Sequence, residues 1–168
     1  MAQSLRRRRA GDRRGSSTGC GRRSVLVVAD TSGLLAAFDR DSADSSTCEQ
    51  VLREAGTVVV SPMILTELDH LTRSRFGGSQ RAVVMNFVLA QVDRMRFLVP
   101  GTGREVLGIA RDVQQRYAGL DLDLTDAVNV ALAAEFRTTD ILTLDRRDFR
   151  AIRPLVGAEA FRLLPDDS

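Results

Sequence analysis

The chain has no lysine; all 24 of its basic residues are arginine. A Walker A phosphate loop, a Schiff-base enzyme and a phospho-receiver site each need a lysine ammonium, so all three are excluded. His70 is the single histidine, and Cys20 and Cys48 are the only cysteines. A zinc site built from Cys and His ligands is therefore out of reach, and there is no C-x-x-C pair or disulfide framework. Tryptophan is absent and tyrosine occurs once, which leaves few platforms for stacking bases. No apolar run outlasts Val25 to Ala29, against the roughly 20 residues that cross a bilayer, and no apolar segment follows the basic start. The expectation is a cytoplasmic chain with no membrane span. Its chemistry must come from carboxylates, hydroxyls, arginine or a metal held by oxygen.

With 43% apolar and 27% charged residues, 168 residues suit one core, since chains divide into several only at roughly 250–300 residues. The net charge of +2 hides a division. Residues 1–23 hold eight arginines against Asp12, a local +7, which leaves −5 on the other 145 residues. Gly, Ser and Arg dominate that first segment and Leu5 is its one large apolar residue, so it is expected to be a disordered arginine-rich tail. Residues 24–168 are expected to form one acidic folded domain.

From Ser24 onward short β-like runs alternate with helical stretches. Val25 to Ala29 is a continuous, mostly β-branched run, as in a strand buried on both faces. A helix from Thr31 follows, then a polar break over Asp39 to Asp44 and a second helix to about Ala55. Thr57 to Val60 reads as the next strand, and Ser61-Pro62 supplies an N-cap and an N1 proline for a helix to about Arg73. Helices near 79–94 and 103–117 flank a strand at Phe97 to Val99. Another helix spans Leu124 to Phe136, a fourth strand Ile141 to Leu144, and a fifth Ala160 to Leu164. This order predicts a three-layer α/β/α domain around a parallel, five-stranded sheet.

Ligands of open parallel sheets sit at the carboxyl ends of the strands. Asp30 follows the first strand and Asp145 the fourth. On a helical wheel Glu67 falls between Met63 and Leu71, on the stripe of Ile64, Leu68 and Leu71, and Asp126 lies on a helix that is apolar nearly all round. Each has a structural alternative: Asp30 as an N-cap, Glu67 in an ion pair with an arginine, Asp126 in a capping box with Asp123. Asn129 shares the face of Asp126. Four such acids repel, by about 4 kcal/mol per pair at ~4 Å and an effective dielectric near 20. A hard divalent cation resolves the conflict, and all-oxygen ligation selects Mg2+ or Mn2+.

The ordered set Val27-Val28-Ala29-Asp30-Thr31-Ser32, Ser61-Pro62 with Thr66-Glu67-Leu68, Thr125-Asp126-Ala127-Val128 with Ala131-Leu132-Ala133, and Leu142-Thr143-Leu144-Asp145-Arg146-Arg147-Asp148-Phe149 resembles the PIN-domain ribonucleases, most closely the VapC-type toxins. The resemblance covers about residues 25–165. It implies an Mg2+- or Mn2+-dependent endoribonuclease, a homodimer, and a small antitoxin protein as inhibitor. It carries the catalytic and metal-holding roles onto Asp30, Glu67, Asp126 and Asp145, with Thr31, Ser32 and Thr143 as supporting hydroxyls. Asp121 and Asp123 compete for the third position; the Asp-Ala pair and the helix register favour Asp126. In this reading a metal-activated water cleaves RNA to 5′-phosphate and 3′-hydroxyl ends, and Arg73, Arg75, Arg146 and Arg147 contact its phosphates.

Other features carry less. His70 reads as a helix-surface residue, Cys48 as packing, Gly101-Thr102-Gly103 as a helix-entry turn, and Met85, Phe87, Val88 and Val92 as an apolar stripe serving core or dimer. Two functional alternatives stay open. An aspartate-dependent phosphatase of the haloacid dehalogenase kind would want a second aspartate where Ser32 stands. A catalytically silent nucleic-acid-binding protein would bind RNA without cleaving it.

Overall fold

The structure is a computed structural model that describes residues 26–168. The expected tail over residues 1–23 lies outside the described residues. In chain order the elements are β1 (Leu26–Ala29), α1 (Thr31–Phe38), α2 (Ser45–Glu54), β2 (Thr57–Val59), α3 (Pro62–Phe76), α4 (Gly78–Asp93), β3 (Phe97–Leu98), α5 (Arg104–Arg116), α6 (Leu124–Glu135), β4 (Asp140–Leu142), α7 (Arg146–Ala151) and β5 (Arg162–Leu164). The strands form one parallel sheet in the order β3-β2-β1-β4-β5. The order changes direction at β1, so a crevice opens where β1 and β4 end side by side. Ala29 is in register with Leu142 there.

Side chains alternate across the sheet as strand geometry requires. Val27, Ala29, Val58 and Leu142 face α1 to α4, whereas Val28, Val59, Ile141 and Leu163 face α5 to α7. Both faces are therefore covered, which explains the unbroken apolar runs of the strands. On the second face, α6 is buried along its whole middle, from Ala127 to Ala133, with α5 packed against it through Val106, Ala110 and Val113. No helix of the described residues is long and apolar enough to cross a membrane.

Local signals act where they were expected. The Ser61 side chain accepts from the Ile64 N–H at 3.2 Å, with Pro62 in the first turn of α3. Several features depart from the sequence expectation. Helix α3 runs on to Phe76 and stops at Gly77, whose φ of +86° suits glycine. A 3-10 turn occupies Ala118–Leu120. Helix α7 was not expected, because Arg146-Arg147-Asp148-Phe149-Arg150-Ala151 offers a single large apolar residue. That residue is enough: Phe149 is buried and meets Phe161 edge to face at 6.2 Å. Tertiary anchoring supplies what periodicity in so short a stretch cannot. Strand β4 ends at Leu142, so Thr143 and Leu144 lie beyond the sheet at its carboxyl edge.

Gly33 sets how closely α1 approaches that edge. A Cβ there would sit 2.7 Å from Leu142 Cγ and 2.8 Å from the Leu142 carbonyl oxygen. The contact holds the start of α1 against β4, and the Asp30 N–H donates to the same Leu142 carbonyl at 2.9 Å. Gly33→Ala should destabilise the protein by about 1–3 kcal/mol through overpacking against backbone, measured by urea denaturation. An unchanged midpoint would show that α1 can retreat without loss.

Candidate active site

The carboxyl ends of β1 and β4 meet the N-terminal turns of α1, α6 and α7, and each helix start presents unpaired N–H groups that favour negative charge. Asp30 caps α1 and is buried, 6% exposed. Its Oδ2 accepts from Ser32 Oγ at 2.6 Å and from Thr143 Oγ1 at 2.9 Å, with a longer bond of 3.4 Å from the Ser32 N–H. The two hydroxyls in turn accept from the chain beyond β4. Leu144 N–H donates to Ser32 Oγ at 2.9 Å, and Asp145 N–H to Thr143 Oγ1 at 2.9 Å. One carboxylate oxygen thus ties the start of α1 to the segment that carries Asp145. Asp30 is both an N-cap and the centre of this network, so its structural and functional readings coincide.

Asp126 enters from the first turn of α6. Its backbone N–H is taken by the exposed Asp123 side chain, the N-cap, at 2.8 Å. That division of labour separates the two candidates: Asp123 caps the helix and Asp126 keeps its carboxylate for the crevice. One carboxylate oxygen each from Asp126, Asp145 and Asp148 lie within 4.8 Å of one another. Burial, reinforced by repulsion from Asp30, Asp123, Asp145 and Asp148, pushes the Asp126 carboxyl up to about 8. Among the described residues no arginine forms an ion pair with Asp30, Glu67, Asp126 or Asp145.

Set beside known proteins, residues 27–154 match the PIN domain. Ribonuclease VapC26 of Mycobacterium tuberculosis is 34% identical over 140 residues, which cover 83% of this chain and the whole of that protein. The chain belongs to the PIN-domain family. Two solved structures share its fold. The Mycobacterium tuberculosis toxin VapC20, described as cleaving the sarcin-ricin loop, superposes with a TM-score of 0.64 at 16% identity, over 72% of this chain and 91% of that one. VapBC2 of Rickettsia felis, solved with a DNA fragment from its promoter, gives 0.59 at 13% identity, over 79% and 96%. The five-stranded parallel sheet and flanking helices of this PIN domain agree with both.

Within the PIN fold, Asp30, Asp126 and Asp145 come together as the sequence suggested. Glu67 does not occupy the buried face expected of it; it is exposed. Its wheel neighbours Met63 and Leu71 are themselves only half-buried, so Glu67 stands at the margin of the apolar stripe. There α3 faces the start of α1 and the open crevice, and Thr31 Oγ1 donates to Glu67 Oε2 at 2.8 Å. Asp148 was missed as a site residue. Its spacing from Asp145 places both on the first turn of a helix, a signal readable only once α7 is known to be helical.

The arginines divide. Arg146 is engaged by Asp166 at 2.5 Å, and Arg150 by Asp167 at 2.6 Å. Arg147 stays 83% exposed, with Asp148 at 3.8 Å. Arg73 and Arg75 are exposed near the end of α3. His70 is exposed as expected, and burial pushes the Cys48 thiol up to about 11, which marks it as an inert packed residue.

The raised Asp126 carboxyl has a definite consequence for the metal-free protein. Between its unfolded value near 3.8 and its folded value near 8, the folded state holds a proton that the unfolded state releases. Stability therefore falls as pH rises through that window and stays reduced above it. Asp126→Asn removes the conflict. In EDTA the variant should match wild type near pH 4 and exceed it at pH 8 by on the order of a few kcal/mol, read as a higher Tm. A variant less stable than wild type at pH 8 would mean that Asp126 is a satisfied structural acid.

Proposed function

We propose that this PIN-domain chain is a divalent-metal-dependent endoribonuclease and the toxin of a toxin–antitoxin pair. The observation that carries the reading is the crowding of Asp30, Asp126, Asp145 and Asp148 at one strand-end crevice without a basic partner for Asp30, Asp126 or Asp145 among the described residues. Ribonuclease VapC26, alike along its entire length, supports RNA as the substrate class. The donors fit Mg2+ or Mn2+: all are oxygen, and three come within cation-binding reach of one another. When bound, such a cation neutralises charge on a phosphodiester and acidifies water.

The chain's own residues do the rest. Ser32 and Thr143 hold Asp30 by one oxygen. Asp126, Asp145 and Asp148 would hold the cation, and Asp126 would give up its proton on binding, so that affinity should rise from pH 6 to pH 8. Glu67, set by Thr31, guards the open rim. Exposed Arg73, Arg75 and Arg147 meet RNA phosphates, whereas Arg146 is held back by Asp166. Ser32 stands where an aspartate-dependent phosphatase wants its second acid, and its hydroxyl donates to Asp30 instead.

Brief expression followed by sequencing of RNA ends tests this. Wild type should generate new 5′-phosphate ends, and Asp30→Asn or Asp126→Ala should lose them by orders of magnitude while keeping the native circular dichroism spectrum. A folded Asp126→Ala that cleaves like wild type would transfer the third role to another acid, Asp148 first.

The antitoxin is assigned to the groove of about 490 Å3 between α1, α2, α4 and β3, where Phe38, Leu52, Phe87 and Phe97 lie beside the polar Glu49, Arg53, Gln91 and Arg96. Phe87 is 38% exposed and stacks edge to face with Phe38 at 5.3 Å and with Phe97 at 6.0 Å, a preformed seat for an apolar helix. A basic tail on the same partner suits the net −5 of residues 24–168. Phe87→Asp should leave RNA cleavage intact and abolish rescue from toxicity by a co-expressed antitoxin. Undiminished rescue would remove the groove from the interface.

A further inference from the structure

Asn129 is the one fully buried polar side chain of α6, at 0% exposure, in a stretch where every other residue from Ala127 to Ala133 is apolar. An aliphatic residue would suit that environment, and an amide has to be desolvated to enter it. Its Nδ2 donates to Asp30 Oδ1 at 3.4 Å, and its Oδ1 finds no partner. The reverse orientation is disfavoured, since the amide oxygen would then face a carboxylate oxygen. Asn129 therefore keeps one hydrogen bond and forgoes another.

The hydrogen bonds around Asp30 show what the retained bond does. Three donors, Ser32 Oγ, Thr143 Oγ1 and the Ser32 N–H, all address Oδ2. Bonds to one oxygen leave the carboxylate free to swing about it. Asn129 reaches the other oxygen, from the same helix face that carries Asp126 one turn earlier. Its bond is long, so Oδ1 retains capacity for a second, stronger partner. We infer that Asn129 is a positioning residue that fixes the rotation of the Asp30 carboxylate and aims Oδ1 at the cation shared with Asp126. The inference deepens the metal-site reading and rests on it.

Partners that orient a ligating group typically change metal affinity 10–100-fold when removed. Asn129→Leu keeps the volume and deletes the donor. By isothermal titration with Mn2+ alone it should bind 10–100-fold more weakly than wild type, while its metal-free Tm in EDTA is equal or higher, because a buried orphan oxygen has gone. A purely structural amide would act the other way, with a lowered metal-free Tm and an unchanged Mn2+ affinity. Either that pattern, or a folded Asn129→Leu with wild-type affinity, overturns the inference. Should Asn129→Leu not fold, Asn129→Ala removes the donor without added bulk and carries the same expectation. Asp30→Asn distinguishes the two levels of failure. If wild type binds Mn2+ and Asp30→Asn does not, an unaffected Asn129 variant defeats only the positioning role. If wild type and Asp30→Asn titrate alike, the metal-site reading fails and the inference with it.

Discussion

Repulsion among carboxylates at one end of the sheet is the constraint to which the surrounding structure answers. Asp30, Asp126, Asp145 and Asp148 are close enough that Asp126 retains its proton up to about pH 8. Left to itself, such a group would move apart or recruit arginines. Here it stays together, and its one ion pair among the described residues is the long Arg147–Asp148 contact at 3.8 Å. Helix starts present N–H groups, Ser32 and Thr143 donate to Asp30, and Thr31 donates to Glu67. Two of the three arginines of α7 are held elsewhere: Arg146 by Asp166 and Arg150 by Asp167. Neutral donors can orient a carboxylate without cancelling its charge, and that keeps the crevice receptive to a cation.

The fold delivers these groups through close packing rather than through the site itself. Gly33 permits the contact between α1 and Leu142 that lets Ser32 reach the Leu144 N–H. Phe149 anchors α7, which carries Asp148 and follows directly on Asp145. Asp166 and Asp167, after the last strand, clamp Arg146 and Arg150 of α7. Individual surface ion pairs contribute little to stability. Their effect here is positional, because they fix the orientation of a six-residue helix with one apolar anchor.

The sheet, its five strands and its parallel sense were legible because buried strands and amphipathic helices leave periodic traces, and Ser61-Pro62 and Asp123 announced their helices. Asp30, Asp126 and Asp145 were legible as acids at strand ends and on an apolar helix. Glu67 was misplaced because wheel geometry gives a direction, not what lies there; the margin of the α3 stripe faces a crevice instead of the core. Asp148 and α7 escaped because four charged residues around one phenylalanine have no periodicity to read. Asn129 was noticed for sharing a face with Asp126, but its bond to Asp30 joins residues 99 apart in the chain, and no local pattern encodes that.

If these carboxylates cut RNA by holding a divalent cation, cleavage must depend on both the cation and Asp30. The most direct measurement incubates purified protein with a structured RNA in EDTA and in millimolar Mn2+, wild type beside Asp30→Asn, and determines the chemistry of the new ends. The expected result is cleavage by wild type in Mn2+ alone, with 5′-phosphate and 3′-hydroxyl termini and none from Asp30→Asn. Cleavage that persists in EDTA, or that leaves a 2′,3′-cyclic phosphate, would contradict it.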